Sequence, residues 1–222
     1  MSPSGDRVRL ALVGDVHGNA PAFKAVLADI AERGIVNGVN TGDVVMRGVH
    51  PKAAVKLARG LGWPTVLGNT DMKVGRGRPR PAGHPASDRP GSRSWTIRRL
   101  SNADIVWLAG RPRRVVVEMG DRRVLITHGH PGDLSVVIDV DTPAGDLVKL
   151  ARKLDVDAIV TGHTHRPVIH RQGGVLFVNP GSVGEGTKDD RRPSWAWLEL
   201  VDGKLEAHLE RVDAPLAPPR QK

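Results

Sequence analysis

Asp157-Ala158-Ile159-Val160-Thr161-Gly162-His163-Thr164-His165 is the stretch from which the rest of the chain can be read. Its short apolar run reads as a buried strand and stops at once in Gly-His-x-His. A strand that ends this way carries two imidazoles, two residues apart, into an extended turn beyond the sheet edge. Ring nitrogens held there suit two neighbouring metal ions. A single His-x-His is more often surface or hydrogen-bonded core histidine, so its meaning depends on what precedes it.

Upstream the same device recurs. Val8–Val13 is an apolar strand followed by Gly14-Asp15-Val16-His17-Gly18. Asn19 is placed to cap the next helix, with Pro21 tolerated in its first turn. Phe23, Val26, Leu27 and Ile30 then form one apolar face, and Gly34 ends it. Gly38–Thr41 leads into Gly42-Asp43, and Pro51 opens a helix carrying Ala54, Leu57, Ala58 and Leu61. Pro64–Leu67 is expected as a third strand, delivering Gly68-Asn69-Thr70-Asp71 at its end. Alternating strands and helices argue for a layered α/β domain. Polar residues gathered beyond the carboxyl ends of strands lie where such folds carry their chemistry.

Met72–Ser94 interrupts this rhythm. It is rich in Gly, Pro and Arg, shows no period and is longer than an ordinary connection, so it reads as a mobile loop over the site edge. Ser101 and Asp104 form a capping box ahead of a short helix reaching about Ala109. The second half is richer in strands: Arg113–Glu118 with Arg123–Thr127 around Gly120-Asp121, then Thr127-His128-Gly129-His130-Pro131. Pro143 opens a helix bearing Leu147, Leu150, Ala151 and Leu154. Beyond the central motif, Pro167–Arg171 and Val175–Val178 flank Gly173-Gly174 and lead to Asn179-Pro180-Gly181-Ser182-Val183. Trp195–Val201 and Leu205–Arg211 pair across Asp202-Gly203, a hairpin signal. Residues 214–222 read as a Pro-rich frayed tail.

With 222 residues the chain is long enough for a sizeable core. No apolar run approaches the ~20 residues that cross a bilayer, and Met1–Arg9 lacks the apolar centre of a secretory signal. Cysteine is absent, which excludes disulfides, thiolate chemistry and zinc-thiolate sites. A cytoplasmic protein without membrane attachment is expected. The net charge of +9 is uneven: Lys73, Arg76, Arg78, Arg80, Arg89, Arg93, Arg98 and Arg99 face Asp88 alone. Such a segment is either a solvated basic loop or a positive lip that steers a polyanion or nucleic acid.

The strand ends together supply Asp15, His17, Asp43, Asn69, His128, His163 and His165. This nitrogen and oxygen set suits manganese, iron, zinc, nickel or cobalt, and holds too many imidazoles for a magnesium or calcium cage. Seven donors are too many for one ion and right for two that share a carboxylate. Two divalent ions roughly 3.5–4 Å apart activate a bridging hydroxide and clamp a phosphoryl group for in-line attack.

Gly14-Asp15-Val16-His17-Gly18, Gly42-Asp43, Gly68-Asn69, His128-Gly129 and Gly162-His163-Thr164-His165 occur in the order seen in the calcineurin-like metallophosphoesterases. The chain resembles that family from Asp15 to His165, and Asn179–Val183 extends the likeness. The resemblance implies one α/β (α+β) domain over residues 1–213, a four-layer fold in which two packed β-sheets are flanked by helices. It also implies that Asp15, His17 and His165 hold a first metal, that Asn69, His128 and His163 hold a second, and that Asp43 bridges them. Manganese is the expected ion.

One position departs from the family's commonest pattern. Where many members have Gly-Asn-His followed by an acid, this chain has Thr70, and a threonine hydroxyl does not titrate near neutral pH. The sequence in this respect resembles the small bacterial and archaeal phosphodiesterase branch. Met46-Arg47-Gly48 resembles the Arg-Gly of protein phosphatases and dinucleoside tetraphosphatases, which makes Arg47 a candidate phosphate-binding residue. His130, or failing that His50, is a candidate substitute acid. Asp43, Asn69, Arg47 and His130 are thus the candidate catalytic residues. The expected activity is hydrolysis of small phosphoesters, nucleotides included, by a dinuclear metal-dependent phosphodiesterase. The rivals are a phosphomonoesterase or dinucleoside polyphosphate hydrolase, a nuclease using the basic loop and Trp95, and a non-catalytic scaffold. Nothing in the sequence fixes the oligomeric state.

Overall fold

The structure is a computed structural model that describes residues 8–79, 83, 85–134, 136–139 and 141–214. In chain order the elements are β1 (Arg9–Val13), α1 (Ala20–Glu32), β2 (Gly38–Asn40), α2 (Pro51–Gly60), α3 (Asn69–Gly75), α4 (Pro85–Asp88), α5 (Arg93–Ile97) and α6 (Asn102–Ala109). They continue with β3 (Arg114–Met119), β4 (Arg122–Thr127), α7 (Ala144–Leu154), β5 (Ala158–Val160), β6 (Val168–Gln172), β7 (Val175–Asn179), β8 (Ser194–Val201) and β9 (Lys204–Arg211). One sheet has the order β2-β1-β8-β9 and the other β3-β4-β5-β7-β6. Both are mixed: β1 runs parallel to β2 and antiparallel to β8, while β4, β5 and β7 are parallel within antiparallel edges.

Side-chain alternation dictates the layering. Leu10 and Leu12 of β1 join Ala196 and Leu198 of β8 in one apolar cluster with Val124, Ile126, Val160 and Val178 of the second sheet. That cluster is the seam between the sheets. The alternate residues face outward. Ala11, Val13 and Trp195 pack against Phe23, Val26 and Ile30 of α1 and against Val55 and Leu108. Leu125, Ile159 and Phe177 pack against Leu147 and Ala151 of α7. Each fully buried aliphatic or aromatic side chain contributes about 1.5–3 kcal/mol, so three clusters sharing period-2 strands fix both sheets in register. The two packed sheets flanked by helices agree with the fold expected from the sequence.

Two expectations need correction. Pro64–Leu67 is not a full strand: it makes one bridge, Asn40 to Thr65, flanked by Asn40 N–H to the Pro64 carbonyl and Val66 N–H to the Asn40 carbonyl. Pro64 has no N–H to extend the ladder, and the Leu67 N–H turns away to the Pro112 carbonyl. The segment read as a loop from Met72 also contains the end of α3, all of α4 and the start of α5. These helices are one or two turns long, too short for periodicity to register, and they are held by burial of Val74, Trp95 and Ile97. Residues 80–82 and 84 of that segment, Arg80 among them, and tail residues 215–222 lie outside the described residues.

Local signals elsewhere hold. The Asn19 side chain accepts from the Ala22 N–H, and Ser101 and Asp104 make the reciprocal bonds of a capping box. Asp104 also accepts from Arg59 at 3.0 Å, tying α6 to α2. Ser101→Ala should therefore cost about 1 kcal/mol of stability, read as a shift in the urea midpoint without a change in slope. An unchanged midpoint would show that α6 is held by packing alone.

Candidate metal centre

The loops that follow β1, β2, β4 and β5 converge at one edge of the packed sheets. His165 Nε2 lies 3.1 Å from Asp15 Oδ1 and 3.0 Å from His17 Nε2. His17 Nε2 is 3.6 Å from Asp15 Oδ1 and 3.7 Å from Asp43 Oδ2. On the other side of Asp43, His128 Nε2 is 3.5 Å from Oδ1. Asn69 Oδ1 sits 3.0 Å from that same nitrogen and 2.9 Å from His163 Nδ1, and the two ring nitrogens are 3.1 Å apart. The two imidazoles of the Gly-His-x-His turn thus diverge, one into each group.

Five of these residues lie in the left-handed backbone region, where side chains are unfavourable: Asp15 (φ 51°), His17 (50°), Asp43 (56°), His163 (72°) and His165 (59°). Each costs of order 1–3 kcal/mol and persists only because the surroundings dictate it. The Asp15 N–H donates to the Gly42 carbonyl and the His17 N–H to the Asp43 carbonyl. Asp15 Oδ2 accepts from the His163 N–H at 3.0 Å, and Asp43 Oδ1 from the Thr70 N–H at 2.8 Å. Small neighbours are needed for this approach: a Cβ on Gly68 would sit 2.1 Å from the Asp43 amide nitrogen and from Asp43 Oδ1.

The donors fit divalent ions. Ligands about 2.0–2.2 Å from one ion lie roughly 3–3.5 Å from each other, the spacing found within each group. Asp15, His17 and His165 form one set able to hold an ion; Asp15, Asp43 and His128 form another. Asp15 Oδ1 is buried yet has no hydrogen-bond partner, a costly state for a carboxylate oxygen without a cation. His128 Nδ1 faces the Thr41 carbonyl at 2.8 Å, so Nδ1–H donates there and leaves the Nε2 lone pair for the cluster.

Burial pushes the Asp15 carboxyl up, but its contacts with His165 and His17 outweigh this and hold it well below the usual range. Burial disfavours protonation of His128, yet the charges of Asp43 and Asp15 raise it overall. Burial and then His128 lower His163. Asp71, fully buried, is pushed up to about 7 by burial and by Asp43 despite N–H bonds from Val44 and Val45.

Residues 8–203 match the calcineurin-like phosphoesterase superfamily domain. The chain belongs to that superfamily. A metallophosphoesterase from Sphaerobacter thermophilus has a similar structure, with a TM-score of 0.76 at 26% identity over 94% of this chain and 89% of that one. A hypothetical protein from Pyrococcus horikoshii OT3 shares the fold at the same TM-score, 0.76, with 17% identity over 92% and 88% of the two chains. An uncharacterized protein from Methanocaldococcus jannaschii is 26% identical over 89% of this chain and 85% of its own length. Superfamily membership and the Asp/His cluster together support a dinuclear divalent-metal site and metal-dependent phosphoester hydrolysis. Among the described residues, no helix is long and apolar enough to cross a membrane.

The side chains of the remaining candidates are engaged elsewhere or exposed. Thr70 is buried, and its hydroxyl donates to the Val45 carbonyl at 2.9 Å. Arg47 is half-buried and donates to Glu185. His130 accepts from the Gly132 N–H through Nδ1, and His50 is an exposed residue at the start of α2. Trp95 is buried with the Arg99 guanidinium 3.7 Å from its ring centroid, so it offers no open stacking face.

The sequence reading missed the residues that shape the donor loops. Asp71 accepts from Val44, Val45 and Gly68 and so binds the Asp43 loop to the Asn69 loop. Its signal was an acid three residues after Gly68, at a helix start. Asn179 Nδ2 donates to the Gly162 carbonyl at 2.8 Å and to Thr164 Oγ1 at 3.1 Å, holding the central turn. Asn179→Ala should loosen that turn and weaken metal binding about 10–100-fold, measured by manganese titration of metal-free protein. Metal loading should also release protons, because the charges of Asp43 and Asp15 raise His128 above its ordinary value in the metal-free protein, and affinity should fall as pH is lowered. Calorimetry in two buffers of different ionisation enthalpy checks this; identical heats would refute it.

Proposed function

We propose that the chain is a dinuclear metal-dependent phosphodiesterase that hydrolyses small phosphoesters, nucleotides among them. In this reading Asp15, His17 and His165 hold one ion, Asn69, His128 and His163 hold the other, and Asp43 serves both. Manganese is the proposed ion, with iron, zinc, nickel or cobalt equally suited to a sulfur-free nitrogen and oxygen donor set. When bound, the ion pair supplies Lewis-acid stabilisation and a nucleophile at neutral pH. Arg47 binds a non-reacting phosphoryl oxygen, since its planar fork suits two oxygens at once.

The observation that carries the diesterase reading is Thr70. Its hydroxyl is committed to the Val45 carbonyl and buried, so no proton donor stands at the position where much of the superfamily has histidine. The leaving group must then depart largely on its own acidity.

Rates should therefore fall steeply as leaving-group pKa rises. Phenolic diesters should be cleaved at least ~10²-fold faster than alkyl ones, the minimum contribution of a well-placed general acid. A flat dependence across a graded series would assign proton donation to another residue. Asp43→Asn keeps an oxygen for the Thr70 N–H, so it should fold normally and lose activity. Elemental analysis of manganese-loaded wild type should give two ions per chain; one or fewer would overturn the shared role of Asp43.

A further inference from the structure

One carboxylate oxygen at the edge of the cluster faces two groups. Arg47 Nη1 donates to Glu185 Oε2 at 2.6 Å, and that oxygen lies 3.4 Å from His165 Nδ1. The His165 ring therefore lies between Asp15 and His17 on its Nε2 side and Glu185 on its Nδ1 side. The segment carrying Glu185 is fixed to the Asp15 loop. The Glu185 N–H donates to Ser182 Oγ, which donates to the Asp15 carbonyl, and the Gly184 N–H donates to that carbonyl too. The Asn19 side chain donates to the Gly184 carbonyl, and a Cβ on Gly184 would lie 2.2 Å from the Val16 carbonyl oxygen. Arg47 is anchored as firmly: its backbone is left-handed at φ 69°, and its N–H donates to the Gly91 carbonyl.

We infer that Glu185 is a positioning residue for the metal centre, acting through His165, and that Arg47 offsets its charge. The inference rests on the reading of His165 as a ligand. An imidazole that offers Nε2 to a cation must keep its proton on Nδ1. A carboxylate facing Nδ1 fixes that tautomer, sets the ring's rotation and makes Nε2 a better donor. An unpaired carboxylate here would add to the negative charge of Asp15 and Asp43, and the Arg47 guanidinium offsets it.

Metal-free wild type, Glu185→Gln, Glu185→Asp and Glu185→Ala are to be titrated with manganese by calorimetry. Imidazole nitrogens of the zinc-loaded proteins are to be read by ¹H–¹⁵N correlation. Glu185→Gln should weaken one ion about 10–100-fold and leave the other unchanged, with the His165 Nδ1–H signal moving upfield as its charged acceptor is lost. Glu185→Ala should do the same, and Glu185→Asp should recover part of the loss. Wild-type affinity together with an unchanged His165 Nδ1–H shift in Glu185→Gln and Glu185→Ala would overturn the inference. The number of ions bound by wild type judges the dinuclear reading. The ratio of variant to wild-type affinity judges the role of Glu185 at whatever stoichiometry is found.

Discussion

The bond from the His163 N–H to Asp15 Oδ2, 3.0 Å long, joins a loop of one sheet to a loop of the other. Around it, the Asp15 N–H reaches the Gly42 carbonyl and the Asp15 carbonyl receives Gly184 and Ser182. Asp15 is thus the knot through which the loops after β1, β2, β5 and β7 are registered against one another. A buried carboxylate tolerates this position only when its oxygens are satisfied, and one of them still lacks a hydrogen-bond partner. The same constraint that joins the sheets therefore creates a place for a cation.

Stability and chemistry pull in opposite directions at this edge. Five donors stand in left-handed backbone, and Asp71 is buried beside Asp43. The cost is carried by the layers beneath, where the period-2 strands bury apolar side chains on both faces. Ligand loops held by main-chain bonds on a rigid sandwich can keep donor spacing constant before any ion arrives, which lowers the reorganisation that binding requires.

The arginine-rich segment shows how composition misleads when burial is unknown. Its charge and glycine content suggested a mobile loop, either solvated or a positive lip, yet Gly91 meets the Arg47 backbone and Trp95 of α5 is buried. Arg98 pairs with Asp88 and Arg99 covers Trp95, so part of the charge serves the segment's own packing. Arg76, Arg78, Arg89 and Arg93 remain exposed.

The strand-and-loop rhythm, the capping residues and the seven candidate ligands could be picked out in the sequence because each is a local pattern: a period of two or 3.6, a cap beside its helix, a Gly-Asp or Gly-His at a strand end. The convergence of those donors was legible only through the order of five blocks. Tertiary structure alone decided the rest. Pro64–Leu67 became a single bridge because Leu67 found an acceptor at Pro112, 45 residues away. Thr70 was tied to Val45, Asn179 to the central turn, and Glu185 to Arg47 and His165, partners 138 and 20 positions distant in the chain. Side chains that act by holding other side chains carry no periodic or local signature, because the contacts that define them exist only once both sheets have packed.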